Sequence, residues 1–277
     1  MKGWIAQINN LSITVVMIKD LIYVYCICDS PPGPSINIET EGLMCLLFDN
    51  FYVIAKYVSG SEYSEENLKE NLSDIQWLET NAREHFRIIS LVMENNTVIP
   101  FNFGTIYYTK DSLQKFITDY YGSLIENFNN IKGKEEWSVK IYCDRRALIE
   151  KIDELSVEAA ELEKQIMASS PGKAFLLKRK KNELIENEMD RLCKNYGQEY
   201  YEGFQNLSAS TSLNNLFPKE FTGREDTMIL NATFLVKKNN VDDFNNMAET
   251  LRKNNGNSGF FIEVTGPWPP SSFICIK

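Results

Sequence analysis

The chain has 277 residues, 43% of them hydrophobic and 12% aromatic, and a net charge of −9. That length suggests about two domains of roughly 150 residues each, and the apolar content excludes a globally disordered chain. Residues 1–130 carry 8 Lys+Arg against 16 Asp+Glu, and so acidic a first half argues against nucleic acid as a partner, because phosphate binding needs a basic face.

Residues 1–16 read as a dispensable extension, with Met17 as an alternative start. The apolar run 13–18 is too short for a signal core or a membrane span, and no other segment is long and apolar enough to cross a membrane. The β-branched and aromatic run 21–27 predicts a buried strand, with Cys26 and Cys28 on one face. Ser30-Pro31-Pro32-Gly33-Pro34 ends it as a loop. Runs 43–48 and 51–58 flank Asp49-Asn50, a pair that tolerates positive φ, and so predict a hairpin. Ser64-Glu65-Glu66 reads as a helix start. Residues 74–95 predict a longer helix with Ile75, Leu78, Ala82, His85, Phe86, Ile89 and Met93 on one face. Residues 98–108 read as extended. Residues 111–127 read as a helix with Leu113, Phe116, Ile117, Tyr120, Leu124 and Phe128 on one side. Lys132-Gly133-Lys134 is a candidate domain joint. The arrangement predicts an α+β sandwich, an antiparallel sheet with helices on one face.

The second half opens with a strand over 137–143. Leu148, Ile152, Leu155, Ala159, Leu162 and Ile166 then step by four and three, which is heptad spacing. Ser169-Ser170-Pro171-Gly172 breaks this helix, and Leu177, Leu184, Ile185, Met189, Leu192 and Tyr196 form the stripe of a second. Together they predict an antiparallel helical hairpin over 147–196. Folding about Pro171 pairs Lys178 with Glu163 and Lys180 with Glu161, exposed contacts that set register more than stability. Residues 206–226 read as a polar loop with a short helix. Then come a strand over 228–236, a helix over 241–254, turns at Gly256 and Gly259, and closing strands over 260–264 and 273–276.

Chemical motifs are sparse. The sequence has no GxxxxGK and no GxGxxG. Six cysteines without a CxxC pair, beside a single histidine, argue against a zinc site and read as buried, reduced thiols of a cytosolic protein. His85, on an apolar helix face with no Ser or Cys partner nearby, reads as a core or interface residue. Adjacent carboxylates at Glu65-Glu66, Glu135-Glu136 and Asp242-Asp243 read as solvated faces or helix starts. Phe101, Phe103, Tyr107 and Tyr108 lack neighbouring cations and do not read as a base-stacking platform.

The C-terminal Gly266-Pro267-Trp268-Pro269-Pro270-Ser271-Ser272-Phe273 is the most distinctive stretch. Proline fixes φ and removes a donor, so this is neither mid-helix nor central strand. It reads as a stiff, extended connector between two strands that presents the Trp268 indole.

Taken together, Arg83-Glu84-His85-Phe86, then Val98-Ile99-Pro100-Phe101-Asn102-Phe103-Gly104-Thr105, then the terminal Gly-Pro-Trp-Pro-Pro resemble the gas vesicle protein F/L family over nearly all of residues 20–277. The strands at Tyr23-Val24-Tyr25 and Trp137–Ile141 fit as well. The resemblance implies an N-terminal modified ferredoxin-like domain (1–132) and a C-terminal α+β domain (133–277) into which the helical hairpin is inserted. It further implies a non-enzymatic assembly factor in the cytoplasm of buoyant cells, without a cofactor. Its partners would be the hydrophobic shell subunit and other accessory proteins, with no nucleic acid and no membrane. Candidate partner-binding or family-motif residues are His85, Pro100, Phe103, Gly104, Gly266, Pro267, Trp268, Pro269, Pro270 and Phe273. Ser271-Ser272 stands where many members would carry an aromatic residue. The hairpin seam and the edges of the N-terminal sheet are the two candidate contact surfaces. A minor structural component of the vesicle, or a small-ligand or enzymatic α+β protein using His85, are the alternatives.

Overall fold

A computed structural model of the chain describes residues 20–255 and 259–277. The extension expected over 1–16 and the turn at Gly256 lie outside them. The first half comprises β1 (Asp20–Cys28), β2 (Met44–Phe48), β3 (Phe51–Ser59), α1 (Gly60–Tyr63), α2 (Glu65–Asn71), α3 (Ile75–Met93), β4 (Val98–Pro100), β5 (Ile106–Tyr107), α4 (Lys110–Asp119) and α5 (Tyr121–Ile131). The strands form one antiparallel sheet in the order β2-β3-β1-β4, with β5 also on β1. The hairpin turn forms as expected, with Asp49 at φ 51°.

Helices cover both faces of this sheet rather than one. Ile22, Val24 and Ile27 pack with Leu113, Ile117, Leu124 and Phe128 of α4 and α5. Tyr23, Tyr25, Cys26 and Cys28 pack with Ile88, Ile89 and Val92 of α3. The cause lies in β1, which is buried at every residue from Leu21 to Cys28 and has no solvent face to offer. A bulge between Val24 and Cys26 reverses the alternation, so Tyr25 and Cys26 share a side.

Three expected elements shift. In α3 the buried residues are His85, Ile88, Ile89 and Val92, while Ile75 and Phe86 are exposed; only the C-terminal half of the helix lies on the sheet. The extended run 98–108 splits into β4 and β5 around a turn closed by Thr105 N–H donating to the Asn102 carbonyl, with Gly104 at φ 80°. The helix expected over 111–127 is two helices: a Thr109/Ser112 capping box opens α4, and Tyr120, out of helical geometry, separates it from α5.

The second half comprises β6 (Lys134–Cys143), α6 (Arg145–Leu155), α7 (Val157–Met167), α8 (Pro171–Asn206), β7 (Ser210–Leu213), α9 (Lys219–Thr222), β8 (Thr227–Lys237), α10 (Val241–Asn255) and β9 (Phe260–Trp268). The antiparallel sheet runs β7-β8-β6-β9. Phe204 of α8 and Phe244 of α10 pack on Val139, Ile141, Ala232 and Phe234. Leu148, Ile152 and Ala159 of the heptad stripe pack on Ile185, Met189 and Cys193 of α8. The hairpin therefore forms, but its first arm is broken at Ser156, whose hydroxyl caps α7, and its second arm runs ten residues past Tyr196. Its register differs by about one turn from the expected one: Lys181, not Lys178, meets Glu163, at 2.8 Å. β7 lies within the stretch read as a loop; its Ser-Thr-Ser-Leu sequence carries no apolar alternation, and it is an edge strand held by pairing with β8. Cys45 and Cys275 are exposed, against the expectation of buried thiols.

The chain end departs most from expectation. Gly266, Pro267 and Trp268 belong to β9, an edge strand, where a missing donor is tolerated. Residues 273–276 are not a strand of the C-terminal sheet. After a 3-10 turn (Ser271–Phe273) the chain crosses to the first half, and Phe273, Ile274 and Ile276 pack on the α4/α5 core.

Candidate functional site

The expected site residues fall into two separate places. His85, Pro100, Phe103 and Gly104 gather around α3. His85 is 1% exposed. Its Nε2 lies 3.0 Å from the Phe101 carbonyl and its Nδ1 2.8 Å from the Tyr23 hydroxyl. A carbonyl only accepts, so Nε2 carries the proton and Nδ1 accepts from Tyr23. The Tyr23 oxygen in turn accepts from Gly104 N–H at 3.3 Å. Tyr25 stacks on the imidazole, and Phe103 meets it edge-on. Burial lowers the His85 pKa, and the bond to Phe101 opposes this in part. Pro100 pairs with Cys26 on the edge strand β4. Both imidazole nitrogens are thus committed to the fold, which is the core role expected of His85. A cleft of about 310 Å³ opens beside Tyr23, Tyr25 and Tyr63, but His85 does not line it.

The C-terminal motif lies at the seam between the two sheets. A Cβ on Gly266, at φ 149°, would stand 2.9 Å from the Trp137 ring and 3.0 Å from the Glu136 carbonyl, so only glycine fits. The peptide to Pro267 is cis. Trp268 pairs with Glu136 across a bulge and donates its indole N–H to Thr265 Oγ1, and the residue is 46% exposed. Pro269 and Pro270 are buried. Pro267, Trp268 and Pro270 wall a cleft of about 400 Å³ whose opposite side is the α3–β4 turn at Asn95, Asn96 and Thr97. Lys132, Lys134 and Lys238 line it together with Glu94 and Glu135. The cleft is therefore of mixed charge with one aromatic face. Among the described residues no group of His, Cys, Asp and Glu is placed to hold a metal ion.

Below this cleft lie residues that sequence reasoning misread or passed over. Glu136, expected on a solvated face, is 4% exposed and accepts from Ser272 N–H at 3.0 Å and Ser272 Oγ–H at 2.7 Å. Burial raises its carboxyl pKa above the ordinary value, and the two Ser272 bonds pull it partly back. The serine standing where an aromatic was expected thus satisfies a buried carboxylate. Asn127, also buried, accepts from Cys275 N–H at 2.9 Å and donates to the Cys275 carbonyl at 2.9 Å. On β6, Trp137, Val139 and Ile141 mark one face as core. That alternation alone assigns Glu136 to water, and nothing local signals that the chain end covers it.

Most of the chain resembles proteins of one kind. A family model described as gas vesicle synthesis protein GvpL/GvpF matches residues 21–275. Gas vesicle protein L of a Streptomyces strain is 22% identical over 88% of this chain and 88% of its own length. Gas vesicle protein L1 of Halobacterium salinarum is 20% identical over 91% and 89%. The crystal structure of gas vesicle protein GvpF from Anabaena superposes with a TM-score of 0.69 at 19% identity, over 93% of this chain and 99% of that one.

Proposed function

The chain belongs to the gas vesicle synthesis GvpL/GvpF family, and from that premise we propose that it is a non-enzymatic accessory protein that holds the hydrophobic shell subunit during vesicle assembly. A subunit that buries its apolar surface only in a polymer is prone to aggregate until it is placed. A folded partner with its own exposed apolar surface, mounted on a rigid element, would shield it. The observation that carries this reading is the tip of the helical hairpin. Met167, Phe175 and Leu176 are exposed there, Phe175 at 71%, with Lys173, Lys178, Arg179 and Lys180 alongside. Most of the hairpin seam packs within the fold, and this reading places the contact at the tip, where the apolar side chains are exposed. The same reading assigns the protein to the cytoplasm beside the growing vesicle. It also divides the chain near Gly133 into two domains, each with its own sheet.

The test is co-expression of the full chain with the shell subunit, followed by affinity capture. The double variant Phe175→Asp/Leu176→Asp should retain at least tenfold less shell subunit while its circular dichroism is unchanged. Equal retention would sink the tip as the contact. Loss on Leu216→Asp/Phe221→Asp instead would move the contact to the apolar residues beside β7, which are also exposed.

A further inference from the structure

Two cysteines of the C-terminal half meet where the hairpin packs on the end of its sheet. Cys143 is the last residue of β6 and is fully buried; Cys193 lies in the middle of α8 and is 8% exposed. They are 50 positions apart in sequence, and their sulfurs are 3.2 Å apart. A disulfide needs about 2.05 Å, so the sulfurs must approach by only roughly 1 Å. The other thiols are placed differently. Cys28 points its thiol at the Tyr52 carbonyl, and Cys45 and Cys275 are exposed.

We propose that Cys143 and Cys193 are a reversible oxidation site, a dithiol that closes against a small-molecule disulfide and fastens the long hairpin helix to the end of its sheet. The environment supports the chemistry. Arg145, two residues after Cys143, reaches across to Glu186 at 2.7 Å and Asp190 at 3.2 Å on α8, the same stretch of helix that carries Cys193. At Cys143 the hydrogen bond with Cys193 and burial hold the thiol protonated, and the Arg145 guanidinium offsets only part of this. The Cys193 pKa is lowered, first by the hydrogen bond from Cys143 and then by Arg145, against an opposing effect of burial. Cys193, 8% exposed where Cys143 is fully buried, is the sulfur a reagent meets first and so the attacking one. An open cavity of about 550 Å³ is walled by Leu148, Ile152 and Phe260 of the same cluster, one layer of side chains from the two sulfurs, which do not themselves line it.

The exchange balances in two displacements. The Cys193 thiolate attacks one sulfur of the reagent RSSR; the Cys193–SR bond forms, the RS–SR bond breaks, and the departing RS⁻ takes a proton. Cys143 then gives up its proton and attacks Cys193 Sγ. The Cys143–Cys193 bond forms, the Cys193–SR bond breaks, and the departing RS⁻ takes a proton and leaves as the second RSH. The protein dithiol is oxidised and one RSSR is reduced to two RSH.

The experiment uses the full chain with Cys45→Ser and Cys275→Ser, so that exposed thiols cannot form adducts, and oxidised glutathione as the probe. After exposure in the native state, quenching and denaturation, two of the four remaining thiols should be lost. The mass should fall by about 2 Da, and the only linked peptide should join Cys143 to Cys193. The melting temperature should rise by roughly 3–8 °C, and reduction should reverse it. Four free thiols after exposure, or a stable glutathione adduct in place of the linked peptide, would overturn the proposal. So would a Cys193→Ala variant of native circular dichroism that still lost two thiols.

Discussion

His85 has one neighbour for each ring nitrogen, a carbonyl at Nε2 and a tyrosine hydroxyl at Nδ1, beside a layer of aromatic, aliphatic and thiol groups. Such a histidine is costly to remove. His85→Ala would leave the Phe101 carbonyl and the Tyr23 hydroxyl without it and open a cavity, at a cost of about 2–4 kcal/mol. Urea unfolding measures that, and a cost below about 1 kcal/mol would refute the packing role. The pH dependence has a definite sign. The folded pKa lies below the ordinary value of 6.5, so the unfolded state binds the proton more readily. The contribution of His85 is complete above that value and is lost as pH falls through the folded pKa. The stability of His85→Gln should therefore fall less steeply than wild type as pH drops from about 7.5 to about 5.5; parallel curves would contradict this. The role of His85 as a core residue was legible from its place on an apolar helix stripe. Its partners were not, because Tyr23 and Phe101 come from other elements and meet it only where β1 bulges and the chain turns at 102–105.

At the scale of elements, α8 shows how a long helix is fixed by its least conspicuous residues. Gly197 is buried in its middle, and a Cβ there would approach the Ile229 carbonyl of β8 to 3.2 Å. The helix backbone thus lies directly against the sheet, with Tyr200 and Phe204 seated beyond the contact. Gly197→Leu should force helix and sheet apart and cost about 1–3 kcal/mol. Thermal unfolding reads this, and an unchanged midpoint would mean that the helix shifts freely. The apolar stripe of α8 was legible as far as Tyr196, where heptad-like spacing marks the hairpin. Its continuation to Asn206 follows another rule, because the last ten residues pack on a sheet rather than on a partner helix. The hairpin register was likewise hidden, since a salt bridge such as Lys181–Glu163 follows from where the turn ends, which surface charges do not encode.

For the whole molecule, the chain end acts as a strap between the two sheets. Ser272 holds Glu136 of β6, Cys275 holds Asn127 of α5, and Phe273, Ile274 and Ile276 complete the N-terminal core together with Leu235 of β8. Deleting residues 272–277 would leave Glu136 buried without its serine donors and uncover that core. The expected loss is at least about 3 kcal/mol, with faster amide exchange in both α5 and β6. Exchange confined to one half would refute the strap. Asn127→Ala keeps Glu136 satisfied and should cost less, about 1–2 kcal/mol. The sequence by itself determined the α+β class, most strands and helices, the hairpin and the family resemblance. These rest on local periodicity, turn chemistry and short motifs, which neighbouring residues encode together. Only the tertiary structure decided that both faces of the first sheet are covered, that Glu136 is buried, that Cys143 meets Cys193, and that the proline-rich end crosses to the other half. Each of these depends on which distant segment covers a given face, and a residue 50 or 150 positions away leaves no mark on the local pattern.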